Sequence, residues 1–267
     1  MNIDNIGTQL LYTTVPILAE KEDGTQVAGT GFLFNYAQDR DKGLFIPLII
    51  TNRHVVEGAK RGIIQFVTQE NNLPIKEKRV RVEFDAGFFQ VYIDSTIDLV
   101  AAPIAPLFQQ LEQRNISIFY RSIDSTIIPD EKQTENLGAV EDVIFIGYPS
   151  GLFDSYNATP IIRRGITATP AWNNYNNESK FLIDAGVFPG SSGSPVFIFN
   201  QGSYPSGNNI AIGTRIYFLG VLTESILNAG IGDNRYFLGL GVVINSESLQ
   251  QYLKALVSKL LASQSKQ

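Results

Sequence analysis

The chain contains no cysteine, one histidine, one methionine and one tryptophan in 267 residues. Without cysteine there is no disulfide, no thiolate nucleophile and no Cys-ligated zinc. A single histidine removes the His-rich metal centres as well, so no metal or cofactor is expected. Positive charge is scarce too: the formal net charge is −5. Nucleic acid and acidic membrane are therefore poor partners, since both want a basic face. The one basic cluster, Lys76 to Arg81, alternates with apolar residues and reads as the solvated face of a strand. Long apolar runs are missing. Leu99 to Phe108 is broken by Pro103 and Pro106 and falls far short of the roughly 20 residues that span a bilayer. Asp4 precedes any basic residue, so the N-terminus does not read as a signal peptide. The expected location is cytoplasmic, or secreted or periplasmic where a leader has been removed.

What is present is a series of short β-type runs. Thr13 to Ala19 and Val27 to Asn35 flank a turn at Asp23-Gly24 and predict a hairpin. Leu44 to Thr51 reads as a buried strand. Arg79 to Phe84, Phe88 to Ile93 and Leu99 to Ile104 follow as further β-type runs. Residues 109–140 are polar, charged and rich in breakers, and read as a connection between two halves. The second half offers Val143 to Gly147, Ile161 to Thr167, Lys180 to Ile183, Pro195 to Phe199, Ile210 to Thr223 and Tyr236 to Ile244. Ala171 to Lys180 and Asn200 to Asn209 read as surface loops. One helix closes the chain. Ser246 is its expected cap, and Leu249, Leu253, Leu256 and Leu260 recur at helical spacing. The pattern divides the chain into 1–108, 109–140, 141–245 and a helix with tail at 246–267. Many short strands with turns between them give an all-β sandwich or barrel.

Three residues stand out chemically. Ser192 lies in Phe188-Pro189-Gly190-Ser191-Ser192-Gly193-Ser194-Pro195. A serine hydroxyl attacks only when a base takes its proton. The oxyanion that forms needs backbone N–H donors aimed at one point. Glycines around Ser192 permit a turn in which Gly190 and Ser192 would present those donors. The only histidine, His54, directly follows the strand Leu44 to Thr51 in Thr51-Asn52-Arg53-His54-Val55-Val56. An acid would fix its tautomer. Asp98, abutting the apolar run Leu99-Val100-Ala101, is the first choice, with Asp94 as the nearby alternative.

Taken in order, these segments resemble the trypsin-like serine peptidases. The resemblance is to the HtrA-type and staphylococcal glutamyl-endopeptidase-like bacterial branches. Gly29-Thr30-Gly31-Phe32-Leu33-Phe34, Thr51 to Val56, Asp98 to Ala101, Gly165-Ile166-Thr167-Ala168 and Asp184-Ala185-Gly186 to Pro195 carry it. It implies two antiparallel six-stranded β-barrels with a C-terminal α-helix, and a catalytic triad of His54, Asp98 and Ser192. It also implies a serine endopeptidase that acts on polypeptide substrates, with Leu222 to Ser225 pairing with the substrate backbone. Gly186, Val187, Phe188, Thr223, Glu224, Ser225 and Gly241 would surround the P1 side chain. Trypsin keeps its pocket aspartate six residues before the serine, where Gly186 stands. The pocket histidine of the Glu-specific relatives has no counterpart. A small or apolar P1 residue is therefore expected.

Ser191 replaces the aspartate that pairs with a cut N-terminus in zymogen-activated relatives. HtrA-type relatives carry a PDZ domain after the protease, and with about 20 residues after the last strand no PDZ-gated regulation is expected in this chain. A free cytoplasmic endopeptidase would be hazardous, so gating by a regulatory protein partner is expected. The alternative is a catalytically silent binding module on the same fold.

Overall fold

The computed structural model describes residues 2–39, 41–229 and 235–264. Helix α1 (Ile6–Leu10), capped by Asn5, leads into β1 (Thr14–Lys21) and β2 (Gln26–Asp39). The turn between these strands is the one expected, with Asp23 accepting from the Thr25 amide at 2.8 Å. Next come β3 (Leu44–Thr51), the single-turn helix α2 (Arg53–Val56), and the long hairpin of β4 (Ala59–Glu70) and β5 (Leu73–Asp85). Helix α3 (Gly87–Gln90), β6 (Val100–Pro103) and α4 (Ala105–Gln113) complete the main path. The strands pair in the order β5-β4-β1-β2-β3-β6. Two short strands from the connecting region, β7 (Ile118–Phe119) and β8 (Ile123–Asp124), join β4 and β2.

After α5 (Glu131–Glu135) the second half begins. Its strands are β9 (Asp142–Gly147), β10 (Ile161–Thr167), β11 (Lys180–Asp184), β12 (Pro195–Ser206), β13 (Asn209–Ala229) and β14 (Arg235–Asn245). They close into a barrel in the order β10-β11-β14-β13-β12-β9. Helix α6 (Ser246–Gln264) ends the chain. The all-β class, two sheets of six or more strands and the closing helix are as expected. Among the described residues, no helix is long and apolar enough to cross a membrane.

Four local expectations change. Phe88 to Ile93 is not a strand, because α3 occupies its start. Phe88 and Phe89 turn onto Phe84, with ring centroids 6.0 and 5.2 Å away, and a helical turn lets both rings reach that side. Strand β4 has no counterpart in the sequence reading. Adjacent Ile63 and Ile64 blur an alternation that burial restores, since Gly62, Ile64, Phe66 and Thr68 are buried. The segment Asn200 to Asn209 is not a loop. It forms the outer part of the β12–β13 hairpin, with Ser206 opposite Asn209 and a turn that Gly207 enters at φ +57°. Its Gly, Ser and Asn content masks a ladder held by backbone bonds. Finally, Asn245 rather than Ser246 caps α6, accepting from the Ser248 amide at 2.9 Å.

Apolar packing joins the halves. Phe32, Phe34, Leu48 and Ile50 of the first sheet share one core with Phe197, Phe218, Val221 and Ile244 of the barrel. Leu249, Leu253 and Leu256 of α6 complete it. Burying each such leucine contributes about 1.5–3 kcal/mol. The Tyr252 hydroxyl adds a polar tie from α6. It accepts from the Ala101 amide at 3.0 Å and donates to the Tyr92 carbonyl at 2.9 Å, and burial pushes its pKa up to about 12. The facing edges of the two halves are fixed by this shared core.

Candidate active site

His54 sits in α2, immediately after the buried end of β3. Asn52, fully buried just before it, donates through Nδ2 to the Asp98 carbonyl at 2.8 Å. Arg53 reaches the Ser95 carbonyl at 3.1 Å. These two bonds lay the turn carrying Asp98 against the turn carrying His54. The Asp98 carboxylate then accepts from the His54 amide at 3.0 Å and faces His54 Nδ1 at 2.8 Å. A third donor, the Thr223 hydroxyl, comes from the barrel. Burial pushes the Asp98 carboxyl up, but the bonds from His54 and Thr223 outweigh it and hold the group below the usual carboxylate range. Asp94 is occupied elsewhere: its carboxylate accepts from the Thr96 amide and hydroxyl within its own turn. Of the two acids considered, only Asp98 faces the imidazole.

Ser192 lies between β11 and β12, in a loop tied across the cleft by one residue of the other half. Thr30 donates its amide to the Ser192 carbonyl at 2.8 Å and its hydroxyl to the Gly190 carbonyl at 2.9 Å. The same hydroxyl accepts from the Tyr148 amide at 3.1 Å, and the Thr30 carbonyl accepts from Thr51 Oγ1 at 2.7 Å. Gly193 takes φ +88°, and a Cβ there would lie 1.9 Å from the Thr30 carbonyl oxygen, so only glycine lets the strands approach this closely.

The carbonyls before Gly190 and Ser192 are both engaged. The Pro189 carbonyl accepts from the Ser150 amide at 2.5 Å, and the Ser191 carbonyl from the Ser194 amide at 3.0 Å. In a trans peptide the N–H points opposite to the C=O. The Gly190 and Ser192 amides therefore point away from those anchors. The Ser192 hydroxyl donates to the Thr223 carbonyl at 2.7 Å. A hydroxyl has one proton, so in this arrangement Ser192 does not donate to His54.

Thr223 thus touches both partners, its hydroxyl on Asp98 and its carbonyl on Ser192. Sequence reasoning placed it in the P1 pocket, but its side chain is buried against the carboxylate instead. Glu224 is exposed and Ser225 half-buried on the same strand. Val187 belongs to the barrel core, and a Cβ at Gly241 would meet its Cγ2 at 2.6 Å, so the two lie against each other. Gly186 and Phe188 form the approach to the Ser192 loop, with Phe188 exposed.

Two participants were not singled out from the sequence. Thr30 lay inside a motif quoted for its resemblance, yet its role depends on the other half of the chain. Asn52 could have been noticed as a polar residue wedged between a buried strand and the only histidine.

The model of the trypsin-like peptidase domain matches residues 29–203. No curated protein matches the chain. Among solved structures, HL collagenase aligns over 94% of this chain and 95% of its own, at TM-score 0.50 and 14% identity. An inactive mutant form of Rv3671c from M. tuberculosis H37Rv aligns over 96% and 92%, at TM-score 0.49 and 15% identity. AL20, a thermostable serine protease from an extremophilic microorganism, aligns over 92% and 98%, at TM-score 0.46 and 13% identity.

Proposed function

The chain belongs to the trypsin-like peptidase domain family, and from that premise we propose that it is a serine endopeptidase working through an acyl-enzyme. The observation that carries this reading is the meeting at Thr223 of the His54–Asp98 pair and Ser192. Ser192 Oγ attacks the scissile carbonyl carbon as His54 Nε2 takes its proton. Asp98 holds His54 Nδ1–H and stabilises the imidazolium. The Gly190 and Ser192 amides receive the oxyanion. The C–N bond then breaks, and His54 delivers the proton to the leaving amine. Water, deprotonated by His54, cleaves the ester and frees Ser192.

The substrate backbone adds as a strand beside Leu222 to Ser225. Gly186, Val187, Phe188, Glu224, Ser225 and Gly241 surround the P1 side chain. Taken alone, these would favour a small or apolar residue.

The first turnover requires Ser192 Oγ to leave the Thr223 carbonyl and swing to His54. We take this rotation as the resting feature on which a regulatory partner acts. The competing reading, a silent binding module, draws on the same hydroxyl position. A fluorescent fluorophosphonate separates them. Labelling of the wild type that disappears in Ser192→Ala is the expected result. Absence of labelling, alone and with candidate partners, would sink the peptidase reading.

A further inference from the structure

We propose that Arg163 forms the floor of the P1 pocket and selects substrates with glutamate or aspartate at P1. This rests on the serine-peptidase reading and deepens it. It departs from the small or apolar residue that the pocket residues named in the sequence favour by themselves.

The argument begins with the pleat of β10. Ile162, Arg164 and Ile166 are exposed, while Arg163 and Gly165 point to the other face and are half-buried. Gly165 has no side chain to hold the neighbouring segment away. A Cβ there would lie 2.3 Å from the Asp184 carbonyl oxygen and 2.6 Å from the Ala185 Cβ. This close approach brings Arg163, one pleat along, up to the segment that leads into the Ser192 loop.

Gly186 supplies the vacancy. A Cβ on it would fall 2.4 Å from Arg163 Nη2 and 3.3 Å from Cζ. The guanidinium therefore fills the space that a side chain at position 186 would use. That position lies six residues before Ser192, where a trypsin-like pocket aspartate would read a basic P1 side chain. Here the same space holds a cation from the adjoining strand, so the preferred charge inverts.

Three further observations favour a ligand over a structural role. The guanidinium carbon lies 4.9 Å from the centroid of the Phe188 ring, and Phe188 is 42% exposed, so the cation stacks on a ring that is partly open to solvent. Among the described residues no carboxylate pairs with Arg163. By contrast, neighbouring Arg164 pairs with Asp142 at 2.9 Å and buried Arg215 with Glu141. The acids closest in sequence to the pocket walls, Asp184 and Glu224, are both exposed and neither bonds it. A guanidinium fork matches a carboxylate in two parallel hydrogen bonds, which an incoming Glu or Asp would supply.

The test uses matched fluorogenic peptides that differ only at P1, with Glu, Gln, Leu or Lys. Rates are normalised to the fraction of Ser192 titrated by fluorophosphonate. The expected result is a kcat/KM for Glu about tenfold or more above that for Gln, since a site built to bond a charged group rejects its neutral analogue. In Arg163→Ala that ratio should fall to near one. In Arg163→Glu the preference should turn towards Lys, a gain that loss of packing could not produce. Arg163→Gln keeps the stem and its stacking, and serves if the alanine variant does not fold.

Wild-type cleavage that does not favour Glu over Gln overturns the proposal, as does a preference that survives Arg163→Ala. Labelling of Ser192 without cleavage of the glutamyl peptide overturns the substrate assignment while the nucleophile stands. Neither labelling nor cleavage of any peptide removes the peptidase reading and this proposal with it.

Discussion

Asp98, carried by the first sheet, accepts from the His54 amide and ring and from the Thr223 hydroxyl, and its own carbonyl is held by Asn52. Ser192, carried by the closed barrel, has its backbone pinned by Thr30, yet its hydroxyl bonds the Thr223 carbonyl and not His54. The proposed acid and base are set by bonds from the first half and one from the barrel. The proposed nucleophile sits in a pinned loop with its hydroxyl turned to the Thr223 carbonyl. Preorganisation of the proposed His54–Asp98 pair needs no substrate, because every bond that sets it comes from the chain. Freeing Ser192 Oγ from the Thr223 carbonyl takes a side-chain rotation, which a substrate or partner can control at low cost.

The largest expected effect comes from loosening the ready half. Asp98→Asn keeps the shape but lets the amide favour the wrong His54 tautomer. The expected loss in kcat is about 10⁴-fold, or about 5.5 kcal/mol of transition-state stabilisation. Steady-state kinetics on any cleaved peptide measures it. A loss under tenfold would mean that Asp98 does not orient the base. The pH dependence follows from the same bonds. Asp98 is held below the usual carboxylate range, so the unfolded chain takes up its proton first as pH falls. Its contribution to stability is whole above the ordinary carboxylate pKa and fades as pH drops through the lowered one. Urea unfolding followed through the acid range should show a shallower decline in Asp98→Asn than in wild type.

Much of this site is legible in the sequence because its parts are local. His54 follows closely on one strand, Asp98 closely precedes another, and Ser192 sits among glycines, so each announces itself within a few residues. Thr30 is different. Its motif is visible, but two of its four bonds go to a loop about 160 residues away, which local sequence does not announce. Arg163 is less legible still. In sequence it is one charge on a strand, and only the missing side chains of Gly165 and Gly186 let it lie against position 186. The β12–β13 hairpin escapes for another reason: its outer ladder runs on backbone bonds, and Ile210 and Ile212 there are 79% and 88% exposed, so no buried face gives it a period. The two-sheet class survived these gaps because the shared apolar core rests on residues such as Phe32, Ile50, Phe197 and Val221, which lie in runs that are plain in the sequence.

The second effect in size concerns the barrel alone. Arg215 on β13 and Glu141 just before β9 form an ion pair with both side chains 6% exposed. Arg215 also donates to Asn200 Oδ1 at 2.8 Å, and Glu141 accepts from the Gly138 amide at 2.8 Å. Glu141→Gln leaves the guanidinium buried without its counter-charge. The expected cost is about 3–5 kcal/mol in folding stability, measured by urea unfolding. Replacing both residues together, as Glu141→Leu with Arg215→Met, should recover most of that loss, because the penalty belongs to the stranded charge rather than to the absent pair. If the double variant is as unstable as the single one, the pair holds the barrel by geometry and not by charge balance.

Arg164 provides the smallest effect and the sharpest contrast with Arg163 and Arg215. Its pair with Asp142 at 2.9 Å is as short as a buried one, but the two side chains are 71% and 48% exposed. Water and salt screen such a pair, and two long side chains lose freedom to hold it. Arg164→Ala should therefore leave the urea midpoint unchanged within error. It should also leave the P1 preference intact, because the side chain lies on the outer face of β10. Arg163→Ala, one residue away, is expected to erase that preference. A shift in P1 selectivity with Arg164→Ala would mean that the barrel's outer charge, and not the guanidinium against Gly186, sets the preference.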